Sequence, residues 1–253
     1  MLFIPRTVRL ILHLLTGLLI AAALHIVGRP VAPAPVARWW LRGLLQVFGI
    51  RVRVEGAPID GPAVRVANHV SWLDIALIGA AAPTRFVAKS EVAHWPLAGW
   101  LADAAGSFYI RRGRGGATPL LDQLVPHLHR GGEFCFFPEG TTTEGPLPGP
   151  FHARLFAAAI EADCHVQPVA LSYGRSPDGR DIAPFVGEDS LFAHILRLLR
   201  AGPIEARVQF GRPIPPTGTR DELAQAAHAT ICRALRSAPI PAGEVIPVLG
   251  TSA

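Results

Sequence analysis

The stretch A-V-R-V-A-N-H-V-S-W-L-D-I-A-L-I-G-A-A, Ala63 to Ala81, changes character in its middle. Its first five residues are short and apolar around one arginine, which predicts a buried strand over Ala63 to Ala67. From Trp72 to Ala81 the chain is apolar apart from Asp74 and too long for an ordinary strand, which predicts a helix. Between them lie Asn68, His69, Val70 and Ser71, a polar turn between two apolar elements.

The same alternation extends in both directions. Short β-rich runs are predicted at Arg51 to Glu55, Arg85 to Ala88, Ser107 to Arg111, Glu133 to Phe137, Val166 to Ser172 and Ile204 to Phe210. Helices are predicted at Leu97 to Ala104, Pro119 to Arg130, Phe151 to Ala162, Leu191 to Leu199 and Asp221 to Arg236. Strands and helices in turn specify an α/β fold, a mixed and mostly parallel sheet flanked by helices. In such sheets ligands gather outside the strand C-termini, so chemistry belongs in the segments that follow the strands.

Upstream, Leu10 to Val27 is apolar, carries no formal charge, and is about long enough to cross a hydrocarbon core of roughly 30 Å. It reads as a membrane anchor, with a cleaved signal peptide as the competing reading because Arg6 and Arg9 precede it and Ala21 to Ala23 are small. Arg29, Arg38 and Arg42 follow, so arginines flank both ends and the positive-inside rule does not orient it. Ala37 to Gly49 then places Trp40, Leu41, Leu44, Leu45 and Phe48 at helical spacing, as for an interfacial helix or one packed on the main domain. The expected organisation is an N-terminal membrane-associated helical region over residues 1–49, a catalytic α/β domain over 50–238, and a flexible tail over 239–253.

The chain of 253 residues is 50% hydrophobic with mean hydropathy +0.32, high for a freely soluble protein. A net charge of +5 and a pI near 9.8 suit anionic lipid, nucleic acid or acidic small molecules. Nucleic acid is excluded as a partner by the absence of a basic face with interleaved aromatics and of any recognisable module. Cys135, Cys164 and Cys232 are odd in number, far apart and set in apolar sequence, which predicts neither a disulfide framework nor a zinc site.

Three segments carry candidate chemistry. Ser71 as an N-cap would make Ser71 to Asp74 close to a capping box, and capping alone would justify the aspartate. If the turn were helical throughout, His69 and Asp74 would point roughly 140° apart. A non-helical His69 folded back over the first turn would instead let Asp74 fix the imidazole tautomer and leave the other ring nitrogen free to take a proton from a hydroxyl. C-F-F-P-E-G-T-T-T-E-G, Cys135 to Gly145, breaks a strand at Pro138 and turns at Gly140, presenting Glu139 and the hydroxyls of Thr141, Thr142 and Thr143. G-S-F-Y-I-R-R-G-R-G-G, Gly106 to Gly116, brings Arg111 and Arg112 to a glycine-rich loop, an arrangement for phosphate or carboxylate or simply a solvated basic hairpin.

Together these segments resemble the glycerolipid acyltransferase family that includes the 1-acylglycerol-3-phosphate acyltransferases. Its first motif, N-H-x-S-x-x-D, is met at Asn68, His69, Ser71 and Asp74. The second, K-x-E-x-x-x-x-P-x-x-G continuing to G-x-x-x-I-x-R, is met by Lys89, Glu91, Pro96, Gly99, Gly106, Ile110 and Arg112. F-P-E-G-T is met at Phe137 to Thr141, and a strand carrying a proline by V-Q-P-V-A at Val166 to Ala170.

The resemblance implies that His69 is a general base for a lysolipid hydroxyl, with Asp74 orienting it, and that the acyl donor is a thioester of coenzyme A or acyl carrier protein. No cofactor or metal is implied beyond that co-substrate. It implies that Glu139 and Gly140 seat the acceptor, that Arg112 faces its anionic head, and that Pro168 shapes the donor or acyl-chain side; Thr141, Arg111 and Lys89 are further expected substrate-binding residues. Lysophosphatidate is the first acceptor implied. Phosphatidate-forming members often read F-P-E-G-T-R and I-D-R, whereas this chain has Thr142 and Arg111 there, which admits another lysolipid such as lyso-ornithine lipid. A non-catalytic lipid-binding protein on the same scaffold is the alternative class. The expected location is the bacterial inner membrane, with the catalytic domain facing the cytoplasm.

Overall fold

A computed structural model describes residues 3–111 and 117–237. Its centre is β2 (Ala63–Ala67), whose five residues are all buried, with Arg65 taken into the sheet by an ion pair to Glu133 and a 2.9 Å bond to the Pro83 carbonyl. On one side β2 pairs in parallel with β5 (Glu133–Phe136), which leads through β3 (Arg85–Lys89) to β4 (Phe108–Ile110). On the other side lies β6 (His165–Tyr173), also parallel. Then the direction reverses: β7 (Ile204–Phe210) is antiparallel to β6, and β1 (Ile50–Glu55) runs parallel to β7. The seven strands stand in the order β1-β7-β6-β2-β5-β3-β4, a mixed and mostly parallel sheet as expected. The burial of β7 alternates residue by residue, which marks a strand covered on one face only.

The C-terminal ends of β2, β3, β5 and β6 point to the same edge of the sheet, and the chain leaving each of them builds the site. α3 (Leu73–Ala81) follows β2 after a five-residue turn and is buried nearly all round. α2 (Ala34–Phe48) lies against it so closely that a Cβ on Gly79 would come within 2.4 Å of Leu41. Arg42 donates to the Ala80 carbonyl at 3.1 Å and Arg38 to that of Ala81 at 3.2 Å, so two arginines of α2 cap the C-terminus of α3 and favour its dipole. These arginines therefore belong to the domain packing rather than to a membrane flank, and with Leu44, Leu45, Val47 and Phe48 buried α2 is a core helix. It ends at Gly49, whose φ of 71° is the left-handed turn that glycine supplies.

α1 is one helix over Phe3–Ile26 and includes Arg6 and Arg9; an 18-residue window within it has a mean hydropathy of 2.0, long and apolar enough to cross a membrane. It is stapled to α2 by two reciprocal bonds, Trp40 Nε1 to the His13 carbonyl at 3.1 Å and His13 Nε2 to the Trp40 carbonyl at 2.9 Å, with the two rings stacked. Its opposite face leaves Ile4, Val8, Ile11, Leu12, Leu15 and Leu19 exposed.

Elsewhere the helices stand near their expected positions: α4 (Ala98–Ala104), α5 (Thr118–His129), α7 (Leu191–Arg200) and α8 (Arg220–Arg236). One expectation is corrected. Phe151 to Ala162 is not a single helix, since residues 151–153 form no regular element, 154–156 form a 3₁₀ turn, and α6 covers only Ala157–Glu161. The His152 N–H donates to the Pro138 carbonyl at 2.9 Å, and this tie to the third motif takes the start of the segment out of the helix. The expected tail over 239–253 lies outside the described residues.

Replacing Arg38 and Arg42 together by methionine keeps most of the side-chain bulk and removes the caps of α3. A loss of about 1 kcal/mol for each is expected in chemical unfolding of the detergent-solubilised chain. An unchanged midpoint would show that water replaces both caps.

Candidate active site

The turn after β2 is built by side chains that imitate backbone. Asn68 is fully buried and bonds Leu171 of β6 twice, donating from Nδ2 to its carbonyl at 2.9 Å and accepting its N–H at 2.8 Å. The pairing of β2 with β6 is thus completed by a side chain, and the main chain at His69 is free to leave the sheet.

Asp74, in the first turn of α3, is completely buried. Its Oδ2 accepts from His69 Nδ1 at 2.8 Å, from the Val70 N–H at 2.7 Å and from the Ser71 N–H at 3.0 Å. The expected Ser71 cap is not formed: α3 begins at Leu73, and the Ser71 hydroxyl finds no hydrogen-bond partner. The acid supplies the capping instead, and with the same oxygen it holds the imidazole. Because Asp74 only accepts, the proton on His69 sits at Nδ1 and Nε2 keeps its lone pair. His69 is non-helical, as the folded-back reading requires, and its ring stacks on Phe137 with centroids 4.0 Å apart.

The third motif grips the backbone of the same residue from both sides. Glu139 Oε1 accepts the His69 N–H at 2.7 Å, and the Thr143 N–H donates to the His69 carbonyl at 2.8 Å. Glu139 Oε2 meanwhile accepts the Gly149 N–H at 2.7 Å. Burial raises the pKa of this carboxyl above its ordinary value, and the two N–H donors oppose the shift. Both oxygens are thus engaged by backbone, and the acid ties two loops together at the cavity wall. Gly140 makes the expected turn with φ 69°, and Thr141 is exposed at the cavity edge.

A strap over residues 182–190 closes the outer side. Phe185 donates its N–H to the Val70 carbonyl at 3.0 Å and its carbonyl accepts from the Thr142 hydroxyl. His194 of α7 is buried between Trp72, which donates to Nδ1 at 2.8 Å, and the Ile182 carbonyl, 3.0 Å from Nε2. Thr142, at the position where phosphatidate-forming relatives often carry arginine, is spent on this scaffold.

In front of His69 opens a cavity of about 1550 Å³, larger than the usual small-ligand pocket of roughly 300–1,000 Å³. Phe86, Phe137, Trp40, Leu41 and Leu44 make much of its wall, and it runs to Leu14 and Gly17 of α1. Lys89, Arg85 and Arg111 stand among its polar lining with Glu139 and His152. Of the residues expected in the site, His69, Lys89, Arg111, Glu139, Gly140 and Thr141 line this cavity, and Asp74 lies behind His69. Pro168 does not reach it; it is buried in β6 beside Val66, with its carbonyl accepting from Gly211. Arg112 lies outside the described residues. Tyr173, which no motif marked, donates from its hydroxyl to Asp74 Oδ1 at 2.6 Å.

With this geometry in place, comparison with known proteins is informative. Residues 49–172 match the family described as Acyltransferase. Over 209 residues, 81% of this chain and 80% of the relative, the sequence is 47% identical to a lyso-ornithine lipid O-acyltransferase of Pseudomonas aeruginosa. The chain belongs to the acyltransferase family. This acyltransferase is also 36% identical over 172 residues to a 1-acyl-sn-glycerol-3-phosphate acyltransferase of Neisseria meningitidis serogroup B, covering 67% of this chain and 68% of that one. Its fold is that of the 1-acyl-sn-glycerophosphate acyltransferase PlsC from Thermotoga maritima, with a TM-score of 0.61 and 22% identity over 92% of the acyltransferase and 97% of the crystallised chain.

The pKa of His194 is lowered by its burial and by neighbouring Arg197. As pH drops below about 6.5, the unfolded chain therefore binds a proton that the folded chain refuses, and stability declines toward the lowered folded value. His194→Gln should flatten this part of the slope of unfolding midpoint against pH while lowering the midpoint at pH 7. An unaltered slope would assign the acid sensitivity to other groups.

Proposed function

We propose that this acyltransferase esterifies the hydroxyl of a lysolipid, with His69 as general base, and that the lysolipid is a lyso-ornithine lipid. The observation that carries the mechanism is the 2.8 Å bond between His69 Nδ1 and the buried Asp74, which leaves Nε2 facing the cavity as the proton acceptor. Nε2 takes the hydroxyl proton as the lysolipid oxygen bonds to the thioester carbonyl carbon. The C–S bond then breaks and the imidazolium returns the proton to the departing thiolate. The donor is the thioester of acyl carrier protein or coenzyme A. No acyl-enzyme is formed, because the hydroxyl is activated directly.

Two observations favour the ornithine acceptor over lysophosphatidate. Thr142 stands in the place of an arginine and bonds the Phe185 carbonyl, so one expected phosphate-facing charge is absent. The higher identity is to the relative named for lyso-ornithine lipid, 47% against 36%. The ornithine head bears a carboxylate, for which Lys89 and Arg111 on the cavity wall supply cations.

The acceptor enters from a bilayer, and the catalytic domain stands on the cytoplasmic side. Entry from a bilayer is supported by α1, by Trp95 and Leu97, which are exposed at the cavity rim, and by Trp100, exposed beside them in α4. Two tryptophans and a leucine at such an edge suit the headgroup region.

His69→Ala should abolish acyl transfer while the chain still folds and associates with membranes; an active variant would sink the base assignment. Wild-type protein in membranes, given a panel of lysolipids and labelled acyl thioesters, should yield ornithine lipid as the main product, and preferential formation of phosphatidate would overturn the acceptor choice. Replacing Trp95 and Trp100 together by serine should raise KM for lysolipid in vesicles several-fold and spare KM in detergent micelles. An equal change in both would remove this edge from lipid contact.

A further inference from the structure

Asp74 receives four hydrogen bonds, and they divide unequally. Three fall on Oδ2 from its own turn, at His69, Val70 and Ser71. The fourth falls on Oδ1 from Tyr173, which lies 99 residues further along, at the end of β6. Without that hydroxyl, Oδ1 would be a buried carboxylate oxygen with no donor, because Asp74 has no contact with solvent.

We propose that Tyr173 is a positioning residue of the proton-transfer pair, whose hydroxyl fixes the plane of the Asp74 carboxylate and restrains its hold on the imidazolium, so that His69 becomes a free base at lower pH. This deepens the reading of His69 as general base and rests on it. A carboxylate oxygen that accepts a short bond from a phenol carries less charge to offer its other partner. A weaker carboxylate partner stabilises the protonated imidazole less, so neutral imidazole persists to lower pH. The phenol remains a donor throughout, because its burial and the adjacent Asp74 raise its pKa well above the ordinary phenol value.

The surroundings of the pair leave few other groups able to do this. Glu139 approaches through the His69 backbone, and its oxygens are taken by N–H groups. Cys135 of β5 is a buried thiol with its pKa raised to about 12, neutral at any working pH. His152, Lys89, Arg85 and Arg111 line the cavity in front of His69 rather than the space behind Asp74. Tyr173 also shares β6 with Leu171, the partner of Asn68, so one strand holds both ends of the first motif.

The test is the pH dependence of kcat/KM for the full chain in membranes, under conditions where chemistry limits the rate. Tyr173→Phe should move the acid limb upward by about half to one pH unit. Activity at neutral pH should fall and recover at alkaline pH to near the wild-type plateau. Site-specific 3-fluorotyrosine at position 173, a stronger donor of similar size, should move the limb the opposite way and decides the matter should the phenylalanine variant not fold. A lowered plateau with an unmoved limb would reduce Tyr173 to packing, and two limbs shifted in the same direction would overturn the proposal. A wild-type profile without any acid limb, together with an active His69→Ala, would instead overturn the base reading itself.

Discussion

A carboxylate with no access to water is the constraint around which this molecule is organised. Burying this carboxyl is tolerable because four donors surround it, two of them backbone N–H groups of the turn that carries the histidine. That requirement explains the shape of the turn. The N–H groups of Val70 and Ser71 must point at the first turn of α3, which holds His69 outside the helix and brings its ring over the same acid. Helix capping and the orientation of the imidazole are one arrangement here, since the oxygen that starts the helix also holds the His69 ring.

The layers outside this centre follow from it. A turn so constrained must be fixed against the sheet, which Asn68 does by pairing with β6, and against its neighbours, which Glu139 and Thr143 do at the two backbone atoms of His69. The strap over residues 182–190 then shields the outer side through Phe185 and His194. On the open side lies apolar space continuous with α1, so the base looks into a chamber suited to lipid rather than to water.

Much of this was legible in the residues. Strand β2, the turn and α3 could be read from a change in apolar pattern, and the sheet from the repetition of that pattern. The turn at Gly140 could be placed from local spacing, whereas spacing left the contact of His69 with Asp74 open and the family resemblance singled the pair out. What escaped were contacts made across the fold. Tyr173 sits at the end of an apolar strand, where an aromatic residue is unremarkable, and its value depends on a partner 99 positions away. Arg38 and Arg42 read as membrane flanks because the carbonyls they cap belong to another helix. The tie that Glu139 makes between two loops was hidden because a sequence does not display the N–H groups that occupy both its oxygens. The break in the helix expected from Phe151 came from a hydrogen bond to Pro138, again a non-local partner.

The staple between His13 and Trp40 has a mechanical consequence. It joins α1 to α2; α2 is joined to α3 through the two arginine caps; and α3 carries the aspartate that holds the base. Each attachment is a contact between packed helices, so the fold itself sets the distance from α1 to the His69 ring. A bilayer that took up α1 would therefore meet the imidazole at a depth that helix packing decides.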